Sequence, residues 1–398
     1  MKTVILLLCL YPLMGFAAYE RMTLVARASF ATPYRLPVPS SLSNTNPVID
    51  DQGQVIFKFL GVEPSAPVSN YRLWLDSAEF KGEIAAVADD LLMGDPVMGP
   101  TGEIAFAVYD WGYNDGLYRV RPGFAPALWV APTETPMAQQ LNSLSFSGPS
   151  EIFWREFRKD HTRVLKYKKA SGEIKEILAE GDKVFGGRVK MFLTPQKRNQ
   201  FTAVKVILEM NASGSELQTE QEALLLLNEN SETLRLQLPE VHNISFHNNL
   251  ALNSKGQIAV IASYERAGVS AKGLWFYDHQ TQNWNEVARV NQTEITELET
   301  FAPSLNERGQ IVFRAKDHQG RRSIFSWSAK QGLKRQLGEG DLCPLENLGT
   351  ARILLSSWGP GLAGAPSLNN QGEVVFSAVM EEKNGGERLG SGVYRLRL

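Results

Sequence analysis

Two short acidic motifs, Glu180-Gly181-Asp182 and Glu339-Gly340-Asp341, are the first candidates for chemistry in this 398-residue chain. Two carboxylates at a suitable separation can divide the work of acid and base or nucleophile, the minimum that a glycosidase needs. Their recurrence at the same point of two similar units argues instead for a repeated turn. His242 and His247 stand five apart, but a zinc site takes three or four ligands, and His161, His279 and His318 fall elsewhere in the chain. No Ser/His/Asp order, glycine-rich phosphate loop or paired cysteine motif stands out. The sequence therefore nominates no catalytic residue, no metal ligand and no cofactor. Trp111, Tyr113 and Trp358 lie in Gly-flanked segments rather than on alternating strand positions. Aromatic rings exposed there would stack on a sugar or anchor a protein partner; packed inward they would only plug an opening. With Asp182 and Asp341 they form the candidate binding set.

The elements that must position these residues are announced by a repeat. The segment Asp50-Asp51-Gln52-Gly53-Gln54-Val55-Ile56-Phe57 returns as Asn306 to Phe313 and as Asn369 to Phe376, with near-matches at Gly102 and Gly256. Two decayed copies place Ser150 and Asn199 in the glycine slot. Taking Gly53, Gly102, Ser150, Asn199, Gly256, Gly309 and Gly372 as register marks, the steps are 49, 48, 49, 57, 53 and 63 residues. Self-similarity at such a period marks a propeller or solenoid. Three residues followed by Gly, between apolar alternations, suit a tight hairpin whose Gly takes the left-handed conformation. Asn or Asp at its head can bind the loop backbone two residues on. Pro47, Pro96, Pro303 and Pro366, each six residues before the glycine, suit a short innermost strand that needs no ladder donor there. A second pair of strands follows in each unit, entered by Leu73-Trp74, Leu117-Tyr118, Leu274-Trp275, Ile324-Phe325 or Val393-Tyr394. Seven units of four strands predict an all-β, seven-bladed β-propeller.

The chain ends extend that expectation. The last unit stops one strand short at Val393 to Leu398, and the segment from about 22 to 28 resembles the missing fourth strand. It is expected to close the ring by pairing with the C-terminal blade, which leaves no free sheet edge. Residues 18–398 then read as a single propeller domain. Strand order puts the Asn-x-x-Gly turns on one face of the disc and the longer loops on the other. Those longer segments include 109 to 115, 209 to 222, 316 to 318, 381 to 388 and 341 to 364, and long loops on a rigid scaffold are where binding residues collect.

Residues 1–17 read as an export signal: Lys2, the apolar run Val4 to Leu10, and the small-x-small site Gly15-Phe16-Ala17. The apolar run is too short to span a bilayer, so no membrane insertion of the mature chain is expected. With Cys9 in that segment, Cys343 is left alone and no intrachain disulfide can form. The formal charge of -2 and the scattered basic residues speak against nucleic acid as a partner. A periplasmic or secreted location follows.

Units such as Ala302-Pro303-Ser304-Leu305-Asn306-Glu307-Arg308-Gly309-Gln310-Ile311-Val312-Phe313-Arg314-Ala315 resemble the bacterial Asn-x-x-Gly-x-x-x-Ala-Phe tandem repeat of exported proteins. They are also similar, more distantly, to the propeller repeat of the TolB family, whose units read Pro-x-x-Ser-Pro-Asp-Gly. The resemblance implies the propeller architecture and an envelope or extracellular setting. The expected function is a non-catalytic binding or scaffold module that engages a protein or glycan through its long-loop face. The alternative is an exported hydrolase or lyase acting on polysaccharide or peptide, with carboxylates at the channel mouth.

Overall fold

A computed structural model describes residues 18–29, 32–42, 46–62, 69–88, 91–110, 113–131, 142–158, 160–211, 218–229, 233–346, 349–355 and 359–398. They form seven small antiparallel sheets, six made of consecutive strands and one joining the two chain ends, which are the seven blades of a β-propeller, numbered 1 to 7 in the order of the marks from Gly53 to Gly372. The expected ring closure is present. Met22–Ala28 pairs antiparallel with Arg388–Arg397, from Met22 opposite Leu396 to Ala28 opposite Ser391. Blade 7 is thereby shared between the two ends of the chain.

The seven register marks all take positive φ, as an Asn-x-x-Gly hairpin requires. Gly53, Gly102, Gly256, Gly309 and Gly372 lie between 73° and 82°. The substitutes do the same, Ser150 at 55° and Asn199 at 45°, which identifies the two decayed units as true copies of the turn despite the steric cost to a residue with a Cβ. The head residue caps its turn as anticipated. Asn306 Oδ1 accepts from the amides of Arg308 and Gln310, both at 3.0 Å, and Asp50, Asn253 and Asn369 repeat the pattern.

Packing follows the two-faced alternation of buried strands. Along the second strand of blade 6, Ile311 and Phe313 join a cluster with Ile261, Leu274 and Phe276 of blade 5. Val312, between them, joins Val374, Phe376 and Met380 of blade 7. Seven such clusters fill the seven blade-to-blade interfaces. The motif phenylalanine faces an aromatic residue of the third strand in several blades: Phe106 over Tyr118, Phe313 over Phe325 and Phe376 over Tyr394 stack at 5.6 to 6.0 Å. Such cross-strand pairs are the unit of sheet stabilisation.

Strand pairing reaches further into two segments than their composition suggests. Phe201–Asn211 and Gln218–Asn228 pair over their full length, leaving only residues 212–217 between them. The 341 to 364 segment likewise holds paired strands at Leu342–Leu345 and Gly349–Ile353. Inward-facing residues such as Val206, Leu208, Cys343 and Ala351 are fully buried there and account for the extra pairing.

Candidate functional site

The innermost strands build a cavity because none of them is continuous. In blade 1 the inner strand is Ser40–Ser41, then a break, then Val48–Ile49, and both pieces pair with Val55–Val62. Blade 2 breaks between Leu92–Met93 and Val97–Met98, and blade 6 between Ile295–Leu298 and Ser304–Leu305. Blades 3, 4, 5 and 7 slip register at the same level, between Asn142 and Ser145, Leu193 and Gln196, Phe246 and Leu250, and Ala363 and Ser367. Pro47, Pro96, Pro303 and Pro366 lie in or beside these breaks, where a missing N–H costs no ladder bond.

The breaks of blades 1, 2, 3, 4, 6 and 7 line a central cavity of about 640 Å³, within the ordinary range for small-ligand sites. Its wall includes the four prolines, Tyr109, Ser143, Ser145, Gln196, Ser304 and Ser367. Asn46 crosses between blades, accepting from the Ala365 amide at 2.7 Å and donating to Asp95 at 2.5 Å. Asp95 is paired in turn with Lys58 at 3.0 Å. Burial, with Tyr71 and Asp95 nearby, raises the Tyr109 phenol above its ordinary pKa, so it stays protonated at neutral pH.

On the wall formed by blades 3 and 4 stands Arg198, whose Nη1 donates to Phe146 O at 2.7 Å and Lys197 O at 3.1 Å. Burial lowers its pKa from the ordinary value, opposed by the charge of Glu307; a guanidinium remains charged regardless.

The Asn-x-x-Gly turns stitch one mouth of the channel. Asn253 Nδ2 donates to Asn306 O, Asn306 Nδ2 to Asn369 O and Asn369 Nδ2 to Asp50 O, at 3.0, 3.0 and 2.9 Å. Glu103 accepts from the amide and hydroxyl of Ser150, Ser147 bonds with Asn199, and Gln54 and Phe201 lie against Gly102 and Gly256. All seven turns therefore touch their neighbours. The intraturn role of the motif asparagine was legible from its spacing, but this second bond joins residues 53 to 319 positions apart and leaves no local signal.

The sequence-nominated carboxylates lie in twin turns. Asp182 Oδ2 accepts from the Ala179 amide at 2.8 Å, and Asp341 Oδ2 from the Gly338 amide at 2.8 Å and from Arg335 at 2.9 Å. Glu180 and Glu339 take the amide and guanidinium of Arg163 and Arg322 in the same way. Neither aspartate is among the cavity residues. Trp111 and Trp358 lie outside the described residues. Tyr113 opens the strand Tyr113–Val120 opposite Asp110. Among the described residues no group of three or more His, Cys, Asp or Glu side chains could hold a metal ion, and no helix is long and apolar enough to cross a membrane.

A sequence profile described as a family of unknown function (DUF7453) matches residues 153–397. No curated protein matches the chain. Among solved structures it is similar to the β-propeller domain of the Trilobed protease from Pyrococcus furiosus, at 10% identity and a TM-score of 0.56, covering 88% of this chain and 95% of that one. It is similar too to an oligogalacturonate lyase solved with manganese, at 12% identity and a TM-score of 0.52, covering 95% and 96%. TolB from Acinetobacter baumannii aligns at 13% identity and a TM-score of 0.44, over 73% of this chain and 65% of that one. Identities this low speak to the fold alone, which enzymes and binding proteins share.

Proposed function

The chain belongs to the DUF7453 family of unknown function, and from the geometry of its channel we propose that it is a non-catalytic binding propeller of the bacterial envelope or exterior. Its ligand is a glycan or the exposed segment of a protein, taken up from the long-loop face. The observation that carries this reading is the set of interrupted inner strands in blades 1, 2, 3, 4, 6 and 7, which bring hydroxyl, carboxamide and phenol groups to one cavity. Few precisely placed polar groups on a largely apolar wall are what orient a bound ligand.

The choice of face has its own support. The turn side is tied up by the blade-to-blade bonds of the Asn-x-x-Gly hairpins, while exposed apolar side chains occur on both sides, Phe185 and Val269 on the other and Phe124 and Ile174 on this one. Trp111, Tyr113 and Trp358 remain the proposed aromatic binding residues, of which Tyr113 opens the strand Tyr113–Val120. The twin-turn bonds of Asp182 and Asp341 favour a supporting role for these residues over acid-base chemistry. The leader-like residues 1–17 support export.

Ala302 lines the cavity and is partly exposed, so Ala302→Trp would fill the channel while leaving the blades paired. On a panel of oligosaccharides and peptides, the parent protein is expected to bind at least one class and the variant to lose it by about tenfold or more. Binding that is indifferent to the plug would sink the channel as the site.

A further inference from the structure

Buried cations in this protein are paired with carboxylates as a rule. Arg27 meets Glu346, Arg314 meets Glu299 at 2.7 Å, Lys166 meets Glu156 at 2.7 Å, Lys205 meets Glu222 at 3.0 Å, and Lys197 meets Glu229. A charge taken out of water without such a partner is costly. Arg198, which is partly exposed rather than buried, has no such partner, and it stands where a ligand could supply the missing charge. It lines the cavity, and no carboxylate among the described residues pairs with it. Only Nη1 is used, and its two acceptors are main-chain carbonyls. Nε and Nη2 make no hydrogen bond to any described residue. That edge of a guanidinium is a two-donor fork that matches the two oxygens of a carboxylate.

Resting on the channel-binding reading above, we propose that the occupant of the cavity is a small molecule or chain end bearing a single carboxylate, which the Nε and Nη2 edge of Arg198 holds in a bidentate pair. Asp95, on the same cavity wall, is already paired with Lys58. Arg198 is therefore the charge left to a ligand, and one guanidinium balances one negative charge where a phosphate dianion would bring two. Gln196 and Thr194, beside Arg198 on the same wall, are placed to hydrogen-bond the remainder of such a ligand. The carboxylate could be that of a sugar acid or the terminus of an amino acid or peptide. Both present the same group to Arg198, and the test separates them.

The intact protein would be titrated, by calorimetry and by ligand-observed NMR at millimolar probe, with glucuronate against methyl glucoside and with N-acetylalanine against N-acetylalanine amide. Inorganic phosphate serves as the third anion. One acid is expected to bind roughly tenfold to a hundredfold more tightly than its neutral partner, the ordinary worth of a charge-assisted pair, and the pair that shows the preference identifies the source. Arg198→Gln should abolish the preference, and Arg198→Lys, which keeps the charge but not the fork, should retain part of it. Circular dichroism confirms that each variant is folded, and the acid-to-neutral comparison on the parent needs no variant at all. Equal binding of acid and neutral probes, phosphate binding as tightly as the carboxylates, or a preference that survives in Arg198→Gln would overturn the proposal. If neutral probes bind and Ala302→Trp excludes them with no acid preference, the channel reading stands and the carboxylate inference falls. If no probe binds, both fall.

Discussion

At the head of the first Asn-x-x-Gly turn stands Asp50, where blades 5, 6 and 7 carry Asn253, Asn306 and Asn369. The three asparagines use both ends of the carboxamide: Oδ1 caps the turn, and Nδ2 reaches the residue four positions on and the carbonyl of the next blade's turn. Asp50 keeps the capping bonds and accepts from Gln54 Nε2 at 2.8 Å, but it has no donor for the neighbouring turn. Burial raises its pKa above the ordinary carboxylate value, against the hydrogen bonds from Gln54 and Gln52, with the charge of Asp51 adding to the rise. A carboxyl that holds its proton more tightly folded than unfolded contributes stability below its unfolded pKa and loses it as pH rises through the folded value. At neutral pH the ionised Asp50 is therefore a net cost. Asp50→Asn should stabilise the protein at pH 7 by about 1 kcal/mol, with the Gln54 amide turning over to accept, as Gln257 and Gln310 already do. The advantage should shrink as the pH falls through the raised folded-state pKa and level off by roughly pH 4. Denaturant unfolding of parent and variant at the two pH values checks both the gain and its pH dependence; a gain that grows in acid would refute the assignment.

Glu299 shows how a single element break is held. It lies in the interruption of the blade 6 inner strand and accepts from Arg314 Nε at 2.7 Å and Arg322 Nε at 3.0 Å. Arg314 is buried, donates onward to Gly364 O of blade 7 at 2.7 Å, and sits 4.2 Å from the centre of the Phe301 ring. Glu299→Gln would leave that guanidinium without its counter-charge, at a cost of about 3 kcal/mol. Glu297→Gln, two residues away, removes only a solvent-facing pair with Lys316 and should shift stability by no more than about 0.5 kcal/mol. Equal shifts in urea melts would show that the Glu299 network does not hold the break. The positions of these breaks were half legible in the sequence. Pro47, Pro96, Pro303 and Pro366 marked four of them, because proline's missing donor has a local signature. The slips at Ser143, Thr194 and His247 have none, since a bulge depends on which partner residue it faces. Arg198 was unreadable for the same reason: its isolation from carboxylates is a property of distances across blades. The acidic motifs, by contrast, advertised themselves in the sequence because they repeat, and their repetition is what the twin turns explain.

On the scale of the whole ring, stability depends on neighbours, since each of the seven apolar clusters spans two blades and no sheet buries both faces alone. The interface between blades 7 and 1 carries the extra task of joining the chain ends. Val25, Ala26 and Ala28 of the closing strand belong to its cluster, with Val55, Phe57, Val375 and Val393. Arg27 adds an ion pair with Glu346 and donates to Leu389 O at 3.0 Å. A chain beginning at Ser29 would lose those contacts and expose the backbone edge of Arg388–Arg397 to solvent, where an unpaired strand becomes a template for another chain. The expected outcome is a lower melting temperature together with self-association visible by size-exclusion chromatography and light scattering. Arg27→Ala keeps the strand and its ladder, so it should lower stability by about 3 kcal/mol through the unpaired Glu346 while remaining at the parent's mass. A truncated chain that stays at the parent's mass and melts at the parent's temperature would mean that the ring holds without its closing strand, and that the channel geometry rests on the other six interfaces alone.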